Sequence, residues 1–115
     1  MTQAKLYGIS NCDTVRKAKK WLDANAVSYE FIDFRKDGIQ KQAIQQWVES
    51  AGLEKVLNKR GTTWRKLSES EQSFSTTEEA IALLAEQPTL IKRPVLETNN
   101  KLEVGFSETT YQELF

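Results

Sequence analysis

The order of apolar periodicities predicts an α/β fold: a β-α-β unit first, then several helices, then a β-β-α unit. Three observations carry this expectation. Residues 4–9 (Ala-Lys-Leu-Tyr-Gly-Ile) and 28–34 (Ser-Tyr-Glu-Phe-Ile-Asp-Phe) are short runs of strand-forming character, the second rich in aromatic residues. Between them, Val15, Ala18, Leu22 and Ala26 recur at helical spacing, with Trp21 widening the stripe. Near the other end, Val95-Leu96-Glu97 and Lys101-Leu102-Glu103-Val104 flank the turn residues Thr98-Asn99-Asn100, as in a hairpin.

Each element has a local reason. Ser10-Asn11-Cys12-Asp13 is a polar break rich in helix-starting residues, so the first helix begins there. The strands on either side of that helix should be parallel, joined by a right-handed crossover. Lys36-Asp37-Gly38 is a turn. Ile44, Trp47, Val48 and Ala51 form a second helical stripe, closed by Gly52. Residues 53–67 read as short helical pieces around the polar segment Asn58 to Thr63. Thr76 and Glu79 have capping-box spacing for a helix with Ile81 and Leu84 on its apolar face, stopped by Pro88. Ser107 caps a terminal helix carrying Tyr111, Leu114 and Phe115. No repeat, linker or low-complexity tract interrupts the chain.

Composition narrows the function. A chain of 115 residues with 39% apolar side chains suits one domain that folds without a metal or disulfide. Sixteen basic residues balance sixteen acidic ones, so neither nucleic acid nor an anionic membrane is an expected partner. Neutral charge also argues against reading the middle helices as a DNA-binding helix-turn-helix. The chain has no histidine, which removes Ser-His-Asp and Cys-His catalysis and the common histidine zinc sites, and no metal is expected. The start, Met1 to Lys5, lacks a signal-peptide core, and the longest apolar run, Ala80 to Ala85, is far too short to span a bilayer. One cysteine cannot form an internal disulfide, so a reducing cytoplasm fits best.

That cysteine, Cys12, is the candidate nucleophile. A sulfur attacks only as thiolate, and an unperturbed thiol with a pKa of ~8.5 is mostly protonated at neutral pH. A place between a strand and a helix start directs free backbone N–H groups and the positive end of the helix dipole at the sulfur. Thr14 is positioned to donate a hydrogen bond to it, whereas the Asp13 carboxylate opposes ionisation. The competing assignment is a small buried core residue, the common fate of a free cysteine. The polar flanks Asn11 and Asp13, and a position off the apolar stripe, favour the reactive one. A Cys-x-x-Cys pair is excluded by Val15, and a cysteine-phosphatase Cys-x5-Arg loop by Ala18.

Three segments, Tyr7 to Ala18, Leu57 to Trp64 and Leu90 to Pro94, together resemble the arsenate reductase (ArsC) family, in its YffB/Spx-like branch. The likeness runs from about residue 5 to residue 115. It implies a thioredoxin-like (glutaredoxin-type) core with a mixed four-stranded sheet. The single domain 1–115 would comprise a core of residues 1–35 and 88–115 and a helical insertion of residues 36–87. It also implies a cytoplasmic monomer with catalysis at Cys12 and no tightly bound cofactor. By position, Arg60 and Arg93 would bind the anion around the thiolate, with Asn11 and Thr14 beside them, and Pro94 would follow a cis peptide bond. Guanidinium groups suit that role, since they stay charged and bind oxyanions or carboxylates bidentately. Arsenate-reducing members pass the cysteine adduct to glutathione and glutaredoxin. They carry a third arginine after the hairpin, where Val104 to Glu108 has none, and commonly a serine where this chain has Val15.

The resulting expectation is a glutathione-dependent thiol oxidoreductase, with glutathione as co-substrate and glutaredoxin as a further partner. Reduction of arsenate or another oxyanion is the first alternative. The second is an Spx-like redox regulator that binds RNA polymerase without catalysis, a class that typically uses the Cys-x-x-Cys switch excluded here by Val15.

Overall fold

Strand register organises the half of the molecule that carries Cys12. In the computed structural model, which describes residues 4–98 and 101–115, β1 (Ala4–Gly8) lies at the centre of this register. It pairs in parallel with β2 (Tyr29–Asp33) and antiparallel with β3 (Val95–Thr98), which pairs antiparallel with β4 (Lys101–Val104). The sheet is mixed and four-stranded, in the order β2-β1-β3-β4, as expected for a thioredoxin-like core. Asn99 and Asn100 of the expected hairpin turn lie outside the described residues.

Helix α1 (Asp13–Ala24) crosses from β1 to β2, and α7 (Glu108–Leu114) follows β4. Ala18 and Leu22 of α1, Tyr111 of α7, and Ala4, Leu6 and Leu96 of the sheet are fully buried in one cluster. Alternation in the strands puts Ala4 and Leu6 on the same face, and register puts Leu96 opposite Leu6. Trp21, Phe106 and Tyr111 close the cluster with edge-on ring contacts: centroids lie 5.6 Å apart for Trp21–Tyr111 and 4.8 Å for Phe106–Tyr111.

The α1 stripe ends earlier than its spacing suggests. Ala26 lies beyond the helix, exposed, with φ of 56°. Its N–H donates to Asp23 O and that of Val27 to Leu22 O, which together satisfy the last carbonyls in a Schellman arrangement. The left-handed residue is alanine here instead of the usual glycine, while Val27 turns inward to pack on the core.

Residues Gly38–Lys92 form a second compact unit, the first being the residues up to Asp37 together with Arg93–Phe115. The second unit holds α2 (Lys41–Ala51), α3 (Leu53–Val56), α4 (Thr62–Lys66), α5 (Glu69–Gln72), α6 (Thr77–Glu86) and a 3-10 turn at Pro88–Leu90. Gly52, at φ of 92°, closes α2 and opens α3. Residues 90–92 belong with this unit because Asn58 N–H donates to Leu90 O and Lys92 N–H to Val56 O, each at 2.7 Å. Helix α5 escapes the apolar pattern altogether. It is set by a capping box at Ser68 and Glu71, whereas the box expected at Thr76 forms only in part. Thr76 Oγ1 accepts from Glu79 N–H, but the Glu79 carboxylate reaches Ser75 N–H. Among the described residues no helix is long and apolar enough to cross a membrane.

Candidate active site

The site is built where the chain leaves β1. Gly8 ends that strand, and an added Cβ there would lie 2.6 Å from Val15 Cγ2, so only glycine lets the first turn of α1 sit so close. Val15, the position a second redox cysteine would occupy, is fully buried against it. Cys12 is therefore held as the N-cap residue of α1, with extended backbone (φ −95°, ψ 127°). Its N–H donates to Ile9 O at 3.1 Å, and its carbonyl accepts from Arg16 N–H at 3.0 Å, opening the helix. The thiol is free and partly exposed.

Antiparallel pairing of Tyr7 with Val95 brings the segment before β3 to the same end of the sheet. That segment is Arg93-Pro94, and its peptide bond is cis. Pro94 is buried, and its carbonyl accepts from Gly105 N–H at 2.8 Å. Gly105 takes φ of 89°, a conformation that disfavours side chains, so the exit of β4 is fastened to Pro94 by a residue suited to the turn.

Opposing effects act on the Cys12 sulfur. Burial pushes the thiol up; the Val15 N–H, the Arg93 guanidinium through hydrogen bonding, the Thr14 N–H and the Arg93 charge all pull it down. The balance leaves Cys12 below the ordinary thiol value. Thr14 acts here through its backbone N–H. Asp13, which the sequence sets against ionisation, pairs with Arg16, whose Nη1 lies 3.0 Å from Oδ1 on the exposed surface. Asn11 is exposed in the turn that precedes the sulfur.

Arg60 lies in the second unit, exposed, in the turn between α3 and α4. Its N–H donates to Asn58 Oδ1 at 3.1 Å, and its carbonyl accepts from Arg65 Nη2 at 3.1 Å. Lys59, Arg60 and Lys92 line one side-chain pocket with Glu54, Leu57 and Asn58.

One residue bonded to the loop that precedes Cys12 escapes the sequence pattern. Asp33, at the end of β2, is 5% exposed, yet its carboxylate accepts from Ser10 N–H at 3.2 Å, Arg35 N–H at 2.7 Å and Lys36 N–H at 3.3 Å. Burial pushes its carboxyl up, but the N–H groups of Arg35, Ser10 and Lys36, with the Ser10 hydroxyl, outweigh that and hold it below the usual aspartate value. The available signal was an aspartate at a strand end followed by a polar turn, the usual start of an Asx turn.

Comparison with known proteins agrees with this architecture. The model of the ArsC family matches residues 7–114. An uncharacterised protein of Haemophilus influenzae is 42% identical over 110 residues, covering 96% of each chain. The solved structure of the YffB (PA3664) protein superposes with a TM-score of 0.93 at 41% identity, covering 96% of this chain and 97% of that one. The global transcriptional regulator Spx of Streptococcus agalactiae is 26% identical over 105 residues, covering 90% of this chain and 76% of that protein.

Proposed function

The chain belongs to the ArsC family, and from that membership we propose that it is a monothiol oxidoreductase acting through Cys12 with glutathione as co-substrate. The observation that carries the proposal is the setting of the sulfur. It is partly exposed, capped onto a helix, and drawn toward thiolate by two backbone N–H groups and Arg93.

The chemistry follows from having one cysteine in the chain. The Cys12 thiolate attacks the glutathione sulfur of a mixed disulfide between substrate and glutathione. A Cys12–glutathione disulfide forms and the substrate leaves as thiolate. A second glutathione thiolate then attacks the glutathione sulfur of that intermediate, giving glutathione disulfide and restoring the Cys12 thiolate. Arg93 supplies a fixed positive charge beside the reacting sulfur. Glutathione carries two carboxylates that suit guanidinium partners. The reading includes a cytoplasmic, monomeric protein, with glutaredoxin able to take over the second step.

The Spx likeness favours a second reading, a regulator that uses the same fold without turnover. Val15 counts against it, because no partner cysteine stands three residues from Cys12. Intact-mass spectrometry after treatment with oxidised glutathione at neutral pH separates the two. The enzyme reading expects one glutathione adduct per chain, absent in Cys12→Ser, and Cys12-dependent release of thiol from a glutathionylated substrate. Wild-type protein that forms no adduct, or forms one that glutathione cannot clear, would overturn it.

A further inference from the structure

We propose that Asp33 is the positioning residue of the site: its buried carboxylate ties the loop that presents Cys12 to the end of β2. The inference rests on the reading of Cys12 as the reactive group and concerns how that group is held.

Three facts make the tie. Gly8 and Asp33 are the last paired residues of the parallel β1–β2 ladder, so the chain leaves both strands at the same point. Phe34 N–H continues the ladder by donating to Gly8 O at 2.8 Å. Beyond it, Ser10 N–H has left the ladder and finds the Asp33 Oδ2 atom instead, at 3.2 Å. Two residues further on is Cys12, whose N–H turns back to Ile9 O. The loop from Ile9 to Cys12 is thus fixed at Ser10 and at Cys12.

The two carboxylate oxygens have separate tasks. Oδ1 accepts from Arg35 and Lys36 and shapes the turn after β2, while Oδ2 accepts from the nucleophile's loop. A nearly complete enclosure, at 5% exposure, means that water cannot readily replace either set of bonds. Asp37 supports the corner from behind, its Oδ2 accepting the Asp33 N–H at 3.1 Å. The charges that bear on the sulfur come from Arg93, so Asp33 acts on Cys12 through geometry.

This division permits a selective test. In Asp33→Asn the single amide oxygen can keep the two donors of the turn, which leaves the –NH2 group facing Ser10 N–H, donor against donor. Asp33→Ser keeps a hydroxyl acceptor for the Arg35 N–H but is too short for Ser10. Asp37→Ala disturbs the same corner without touching Ser10. In both Asp33 variants, hydrogen exchange at the Ser10 amide should accelerate by about five- to 150-fold, the loss of one buried hydrogen bond. The pH midpoint of Cys12 alkylation should rise. Asp37→Ala, which loses only the support behind the corner, should change both far less than either Asp33 variant. Unaltered Ser10 exchange and midpoint in the Asp33 variants, or the same changes in Asp37→Ala, would overturn the proposal. A wild-type midpoint in the ordinary thiol range would instead overturn the reading of Cys12, with Ser10 exchange still reporting on the tie.

Discussion

Gly8→Ala should destabilise the protein far more than a single methyl group suggests. The new Cβ would lie 2.6 Å from Val15 Cγ2 and 3.5 Å from Cγ1. Carbon atoms pack comfortably at about 3.5–4.0 Å, so roughly 1 Å must be found. Val15 cannot supply it by rotation, because it is fully buried, β-branched and restricted to one favoured rotamer in a helix. The first turn of α1 must therefore shift away from β1. Overpacking of this kind costs about 1–3 kcal/mol, and the rigid neighbour puts Gly8→Ala near 2 kcal/mol. For a chain of this size that is a fall in Tm of about 8 °C. Val15→Ala removes the clashing Cγ2 methyl group, so the two changes should compensate. In a double-mutant cycle followed by denaturant unfolding, the cost of Gly8→Ala should shrink by at least about 1 kcal/mol in the Val15→Ala background. A cost below about 0.5 kcal/mol, or strict additivity of the two substitutions, would refute the close-approach argument.

Arg93→Ala should raise the alkylation midpoint of Cys12 and weaken glutathione binding, by about 1.5 kcal/mol given its partial exposure, as read by calorimetry and thiol titration. Unchanged affinity in Arg93→Ala would remove its assignment to the anion. Acid unfolding should bear the mark of Asp33. Its folded-state value is depressed, so the carboxylate contributes stability above the unfolded value of ~3.9 and loses it as pH falls through the folded value. Unfolding free energy should fall below about pH 4, and Asp33→Asn should flatten that slope. Arsenate reduction should be weak, about 10²–10³-fold below a three-arginine relative in a coupled glutathione and glutaredoxin assay, because residues 104–108 hold no arginine to stabilise the attacked oxyanion.

The first β-α-β unit was legible in the sequence because its signals are local. The strands expected over 4–9 and 28–34 form as Ala4–Gly8 and Tyr29–Asp33, and Val15, Ala18 and Leu22 are buried as their spacing requires. The place of Cys12 at the start of α1 was legible for the same reason, since helix-starting residues surround it. Asp33 was not, because its partner at Ser10 is 23 residues away and meets it only through the parallel register of β1 and β2. Arg93 is likewise brought to Cys12 by strand pairing, and the resemblance, not the residue pattern, singled it out. The pairing of Asp13 with Arg16 was within reach of an i,i+3 rule, and it engages a charge expected to work against the thiolate. Helix α5 has no apolar stripe, so periodicity passes over it, although Ser68 and Glu71 carried the capping signal.

The measurement that bears most directly on the central claim is the pH dependence of Cys12 ionisation, followed by thiolate absorbance and by alkylation rate in the same protein. The Cys12→Ser variant provides the baseline. A thiolate held by the Val15 and Thr14 N–H groups and Arg93 should titrate with a midpoint below the ordinary thiol value of ~8.5, and Arg93→Ala should move it upward. A wild-type midpoint at or above ~8.5 would contradict the account, whatever adduct the protein forms with glutathione.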